Sequence, residues 1–141
     1  MGPGLKRWLA ALATLLVIDA LWLGLVAAPL YRQERGALFL PQPRWLAAAI
    51  WYLGYPLALV LLALRPPPPS AVVAAGRGAL VGAVAYGTYD LTNLATLVAW
   101  PAWLAALDVA FGVTMSAAMA TAAWWVDRPQ RDPGVSPARK P

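Results

Sequence analysis

The chain has 141 residues, of which 61% are hydrophobic and 12% are charged, and its formal net charge is +5. A soluble domain of this length buries too little surface to hide so many apolar side chains, so the composition indicates one domain whose solvent is lipid. The sequence contains no cysteine and no histidine. Disulfides, thiolate or imidazole metal ligands and a Ser-His-Asp triad are therefore excluded, and we expect neither a metal nor a cofactor.

Four apolar runs follow one another along the chain, each long enough for the roughly 20 residues that a helix needs to cross the hydrocarbon core. Because a segment in lipid must satisfy its own backbone hydrogen bonds, each run is predicted to be a transmembrane helix. The predicted helices cover residues 8–28, 45–64, 78–99 and 102–126 of a transmembrane domain formed by residues 1–126. Residues 127–141 are polar and rich in proline and arginine, which predicts a disordered cytoplasmic tail.

The first apolar run admits a second interpretation. Lys6 and Arg7 precede it and small residues follow it, as in a cleaved signal peptide. The run is long for the apolar part of a signal peptide, however, and Asp19 lies in its middle. We favour a transmembrane helix, and the signal peptide stays the alternative.

The segments between the runs indicate how the helices are arranged. Residues 29–43 contain several helix breakers, and residues 65–70 read Arg-Pro-Pro-Pro-Pro-Ser, a stiff connector. Trp100-Pro101 leaves room only for a tight turn between the third and fourth helices. These links predict an all-α antiparallel bundle of four transmembrane helices.

Lysine and arginine are distributed unevenly between the two ends of this predicted bundle. Since cytoplasmic segments of membrane proteins carry an excess of these residues, both termini are predicted to be cytoplasmic, and nucleic-acid binding is not expected. Tryptophans near both ends of the spans agree, because they form the aromatic belts found at membrane interfaces. The cytoplasmic set is Lys6, Arg7, Arg65, Arg77, Arg128, Arg131, Arg139 and Lys140, and the outer set is Arg32, Arg35 and Arg44.

Three aspartates lie inside the predicted spans, where insertion of each costs about 2.5–3.5 kcal/mol. At 1.5 Å per residue, Asp19, Asp90 and Asp108 fall about 18, 20 and 21 Å from the inner edge of the hydrocarbon core. Tyr52 of the second helix falls at about 18 Å by the same arithmetic. All four helices thus place a polar side chain at nearly one depth.

Further aromatic and polar residues recur at helical spacing around these positions, and polar groups in lipid turn toward one another. We predict one polar, aromatic-lined pocket between the helices, nearer the outer leaflet. The alternative is that these groups only hold helices together, through hydrogen bonds worth about 0.6–2 kcal/mol each. The candidate pocket residues are Asp19, Trp22, Trp51, Tyr52, Tyr55, Tyr86, Tyr89, Asp90, Asn93, Thr96 and Asp108.

Small residues recur at every fourth position in the last two runs. Gly78 and Gly82 form one such row, and Gly112, Ser116 and Ala120 form another. Rows of this kind let helices approach closely in membranes, so we interpret them as packing surfaces rather than as part of a site.

One stretch reads Tyr86-Gly-Thr-Tyr-Asp-Leu-Thr-Asn-Leu-Ala-Thr-Leu, and Trp100-Pro101 and then Asp108 follow it. With Ile18-Asp19-Ala-Leu-Trp22-Leu-Gly24, Tyr31-Arg32 before Gly36, and Trp51-Tyr52 before Tyr55, it resembles the bacterial membrane-protein family called domain of unknown function 2177. The resemblance covers nearly the whole chain before the tail. Phe111-Gly112 departs from it, since the family has Trp-Gly there. The resemblance implies a four-helix protein of the bacterial inner membrane and brings no established activity.

Three functions are compatible with such a pocket. The favoured one is binding or transport of a lipid-like or small apolar molecule. Because four helices are few for a monomeric carrier, it implies a homo-oligomer. The second is a small membrane enzyme acting on a lipid or isoprenoid, with paired aspartates as acid and base. The third is a structural or assembly subunit of a membrane complex, whose partners are other membrane proteins and the bilayer itself.

Overall fold

The computed structural model describes residues 1–27 and 42–128, and four α-helices account for most of them. All four helices are long and apolar enough to cross a membrane, and the described residues contain no β-strand. The prediction of an all-helical membrane protein is therefore confirmed. The helices are α1, Pro3–Trp22; α2, Trp45–Ala63; α3, Ala71–Thr96; and α4, Ala102–Trp125.

Several sequence features lie outside the described residues. They are the loop motif at Tyr31, Arg32 and Gly36, the loop arginine Arg35, and the tail beyond Arg128. The disordered tail and the outer-loop charges therefore stay predictions.

Two helices begin before the apolar runs that predicted them, because local signals other than hydropathy start them. α1 begins at Pro3. Proline is favoured in the first turn of a helix, because the backbone N–H groups there have no hydrogen-bond acceptor within the helix and the lack of one costs nothing. α3 begins just after Ser70, whose hydroxyl accepts a hydrogen bond from the Val73 N–H at 3.3 Å. α3 therefore carries Arg77 within the helix, and its first turns extend beyond the purely apolar run. Beyond α1 the chain continues as a π-helical turn, Leu23–Ala27.

The helices pack in chain order, with α1 beside α2, α2 beside α3, α3 beside α4, and α4 against α1. α4 touches all three other helices and contributes Met115 and Met119 to a core that also contains Leu15 and Leu59. α2 packs much more loosely on α3 than α3 packs on α4. The seam between α2 and α3 is thus the loosest of the four between neighbouring helices.

α3 and α4 approach closely along their two rows of small residues. A Cβ atom at Gly78 would meet the Ser116 carbonyl oxygen and lie 2.6 Å from the Ala120 Cβ, and one at Gly82 would meet the Gly112 carbonyl oxygen. Gly82 comes later in α3 than Gly78, but its contact in α4 comes earlier in the chain. These two helices therefore run antiparallel. The packing role predicted for the small residues is confirmed, because backbone occupies the space that a side chain would need.

Contacts between helix ends gather the start of α1, the end of α4 and the proline-rich link at one end of the bundle. Arg7 in α1 forms a 2.7 Å ion pair with Asp127, just after α4. The Arg77 guanidinium donates to the carbonyls of Ala63 and Pro66, at 3.4 and 2.7 Å, and so binds the C-terminal end of α2. We call this the basic end, after Lys6, Arg7, Arg65, Arg77 and Arg128.

Candidate functional site

Asp19 joins α1 to α2. Its side chain is 6% exposed, and its Oδ2 oxygen accepts a hydrogen bond from the Tyr52 hydroxyl. The Trp8 indole N–H also donates to the Leu53 carbonyl at 3.1 Å, which gives the same pair of helices a second polar contact. The side chains predicted at about 18 Å on these two helices therefore do meet.

A second hydroxyl contact joins α2 to α4. The Tyr55 hydroxyl lies 2.6 Å from the Ser116 hydroxyl, and either group can donate the hydrogen. Ser116 has no exposed surface, whereas Tyr55 is half-buried. Sequence reasoning had assigned Ser116 to packing alone, whereas the structure gives it both a packing role and a polar one.

A continuous row of rings, which we call the aromatic layer, crosses all four helices. Trp22 of α1 stacks on Phe111 of α4 with 4.3 Å between ring centroids, and Phe111 meets the edge of Tyr86 of α3 at 6.3 Å. Tyr86 meets Tyr55 of α2 at 6.4 Å, and Tyr55 stacks on Trp51 at 5.5 Å with only 9° between the ring planes. The hydrogen bond from Tyr52 of α2 to Asp19 of α1 completes a ring of side-chain contacts that links all four helices.

Phe111 belongs to this layer, although the sequence did not single it out as a site residue. It follows Asp108 by three positions and therefore lies on the same side of α4, a spacing that could have identified it. Tyr86 is central to the arrangement, because its ring contacts those of both Tyr55 and Phe111.

A cleft of about 350 Å³ opens beside the aromatic layer, between α2, α3 and α4. Trp51 and Tyr89 are 38% and 56% exposed at its mouth, and Asp108 is half-buried in its wall. Trp51 and Asp108 each lie about 9 Å from the helix end opposite the basic end, at 1.5 Å per residue. We call this the aromatic cleft, and its lining consists of Trp51, Tyr55, Ala85, Tyr86, Tyr89 and Asp108.

Asp90 lies apart from the cleft. It is 1% exposed and shares a face of α3 with Gly82, two turns earlier, which packs on Gly112. The same antiparallel register, continued by two turns, places Asp90 level with Leu104 of α4. Asp90 therefore belongs to the packed interface between α3 and α4 and does not line the cleft.

The remaining candidates on α3 do not share one inward face. Thr96 is exposed, in contrast to the expected position in a pocket, and its hydroxyl donates to the Thr92 carbonyl of its own helix at 2.7 Å. Asn93 is half-buried, and Tyr89 meets the edge of Trp100 with 5.5 Å between ring centroids. A helix turns 100° per residue, so a set of residues that spans three turns spreads over more than one face.

Acidic groups in the described ranges, 1–27 and 42–128, do not assemble into a metal site. No cluster there brings together the three or more acidic side chains that could hold an ion. The chemistry that the described residues offer is therefore that of single carboxyl groups, phenol hydroxyls and aromatic faces.

The fold and the site define a class, a four-helix integral membrane protein with an aromatic layer and carboxyl groups between its helices. Residues 4–125 match the family DUF2177, described as a predicted membrane protein, and the chain belongs to that family. The predicted resemblance to this family is thus confirmed. Neither the curated proteins nor the solved structures compared with the chain include a match.

Proposed function

We propose that this protein binds or transports a lipid-like or small apolar molecule in the aromatic cleft, within the inner membrane of a bacterium. The observation that supports this most is the composition of the cleft, in which flat aromatic rings surround a single carboxyl group, that of Asp108. Binding sites for small molecules combine apolar and aromatic walls with a few polar groups that fix orientation. A molecule with an apolar body and one polar end suits such walls.

The position of the cleft supports entry from the bilayer. Its exposed residues Trp51, Ala85 and Tyr89 lie on α2 and α3, along the loosest seam of the bundle. A ligand dissolved in lipid would reach the cleft sideways, without crossing the polar surface. Transport would further require a second copy of the chain, because four helices are few for a monomeric carrier.

A carboxyl group inside a membrane is costly, which also favours a functional role for Asp108. Insertion of an aspartate at the centre of a span costs about 2.5–3.5 kcal/mol, and such residues mark sites and pathways in membrane proteins. Asp19 and Asp90 are enclosed between helices, whereas Asp108 is half-buried at a cleft. Asp108 is thus the acidic residue best placed to meet a ligand.

Replacement of Asp108 by asparagine is expected to remove a bound molecule without unfolding the protein. Wild type and Asp108→Asn would be purified in maltoside micelles, and co-purifying molecules would be measured by mass spectrometry beside the melting temperature. The matched control is Asp127→Asn, at the basic end, which should retain the molecule. If wild type carries only bulk lipid, the proposal fails. Loss of folded Asp108→Asn would favour a structural subunit.

The proposed orientation, with both termini in the cytoplasm, predicts opposite labelling of two single-cysteine variants. The chain has no cysteine of its own, so one substitution supplies the only thiol. Pro69→Cys replaces an exposed residue of the link at the basic end, and Val98→Cys replaces a fully exposed residue of the turn between α3 and α4. A membrane-impermeant maleimide added to intact spheroplasts should label Val98→Cys and spare Pro69→Cys. The reverse pattern would invert the orientation.

A further inference from the structure

We infer that the aromatic cleft selects a hydrophobic cation, such as a quaternary ammonium or phosphonium compound, over an anionic molecule of the same shape. This inference rests on the proposed function of the cleft and specifies the charge of its ligand. It follows from three features of the described residues: the acidic group in the lining of the cleft, the aromatic rings beside it, and the distance between the cleft and the basic end.

The lining of the cleft, as far as the structure describes it, contains one acidic side chain and no basic one. Asp108 supplies this acid, and the other ionisable groups among these lining residues are the phenols of Tyr55, Tyr86 and Tyr89. The carboxyl group of Asp108 therefore lies where the polar end of a ligand would meet it. In a medium of low dielectric constant, a nearby carboxylate attracts a cation and repels an anion far more strongly than it does in water.

Aromatic rings make up most of the lining of the cleft. Trp51 and Tyr55 stack with 9° between their planes, and the Tyr86 ring lies at 78° to that of Tyr55. The face of an aromatic ring is electronegative, and tryptophan and tyrosine bind cations over it within about 6 Å of the centroid. Aromatic walls beside a carboxyl group are a common means of recognising quaternary ammonium groups.

Most of the described arginines lie far from the cleft. Arg7, Arg65, Arg77 and Arg128 lie at the basic end, on the far side of the bundle from the cleft. Arg44 precedes Trp51 by about two turns of α2 and is exposed at the start of that helix. None of these guanidinium groups lines the cleft. A phosphate or carboxylate head would thus meet Asp108 without a described basic partner in the wall.

Two probes of one shape and opposite charge test this selectivity. Tetraphenylphosphonium and tetraphenylborate both carry four phenyl rings around a central atom, so they differ mainly in charge. Equilibrium dialysis would measure the binding of each to the purified full chain in maltoside micelles. We expect wild type to bind the phosphonium at least tenfold more tightly than the borate.

Three variants locate the effect. Asp108→Asn should weaken phosphonium binding at least tenfold, whereas Asp108→Glu, which keeps the charge, should retain most of it. Asp127→Asn, which changes an acid at the basic end, should leave binding unchanged. Trp51→Leu removes one aromatic face at the exposed mouth, so it should weaken the phosphonium even if Asp108→Asn does not fold. Melting temperatures of the variants would verify that each is folded.

The possible outcomes separate the inference from the proposed function. Equal binding of both ions, weakened alike by Trp51→Leu and unaffected by Asp108→Asn, would overturn the cation selectivity and leave an apolar binding cleft. Tighter binding of the borate would likewise overturn the selectivity. Binding of neither ion, together with only bulk lipid in the purified protein, would overturn both the inference and the proposed function.

Discussion

Replacement of Gly82 by alanine is expected to destabilise the bundle by about 1–3 kcal/mol or more, the range for an overpacked core. A Cβ atom at this position would meet the Gly112 carbonyl oxygen and lie 2.7 Å from the Ser116 hydroxyl oxygen. The carbonyl belongs to the backbone of α4, so it cannot rotate away as the end of a flexible side chain can. α3 and α4 would have to separate, and the tightest interface in the bundle would loosen along its length.

The control for this change lies on the same helix. No atom within 4 Å would meet a Cβ at Gly76, and that residue is exposed. Alanine favours an α-helix over glycine by about 1 kcal/mol, so Gly76→Ala should be neutral or slightly stabilising in the same assay. Thermal unfolding in maltoside micelles would compare both variants with wild type. Equal melting temperatures for the two variants would show that the close approach of α3 and α4 is not needed for stability.

Replacement of Tyr52 by phenylalanine is expected to cost about 1–3 kcal/mol, because it leaves a buried polar group without its donor. The Tyr52 hydroxyl donates to the Asp19 carboxyl group, which is 6% exposed between α1 and α2. Water that could replace the hydroxyl is scarce at this depth of a membrane. The main consequence should be a weaker contact between α1 and α2, seen as a lower melting temperature in micelles.

Two further variants identify the hydrogen bond as the cause. Asp19→Asn keeps an oxygen that can accept from Tyr52, so it should lose less stability than Tyr52→Phe does. The double variant Asp19→Leu with Tyr52→Phe removes both polar groups, and its loss should be smaller than the sum of the two single losses. Strictly additive losses would show that the two side chains contribute independently, and the hydrogen bond would then not account for the effect.

The candidate site was predicted best where helical periodicity and depth alone determine position. Asp19 and Tyr52 were placed at one level on two helices by counting residues, and the structure joins them by a hydrogen bond. Trp51, Tyr55 and Tyr86 were all assigned to the predicted pocket, and all three line one cleft. In each case the rise of 1.5 Å per residue and the apolar limits of the span fix the depth before any packing is known.

Rotation of a helix about its axis was the property that the sequence predicted least well. Thr96 was expected to face the pocket with Tyr86 but is exposed, and Asp90 faces α4 rather than the cleft. In a soluble helix an apolar stripe marks the buried face. In lipid both the core and the surroundings are apolar, so hydropathy gives little information about which face is inward.

The sequence by itself determined that this chain is a four-helix membrane protein of the DUF2177 family, because the length of each apolar run and the motif around Asp90 are properties of the chain alone. Only the tertiary structure decided which polar residues share a site. That choice depends on the glycine rows, which draw α3 onto α4 and leave α2 more loosely packed on α3. A cleft arises where close packing stops, and close packing is a property of pairs of helices rather than of any one of them.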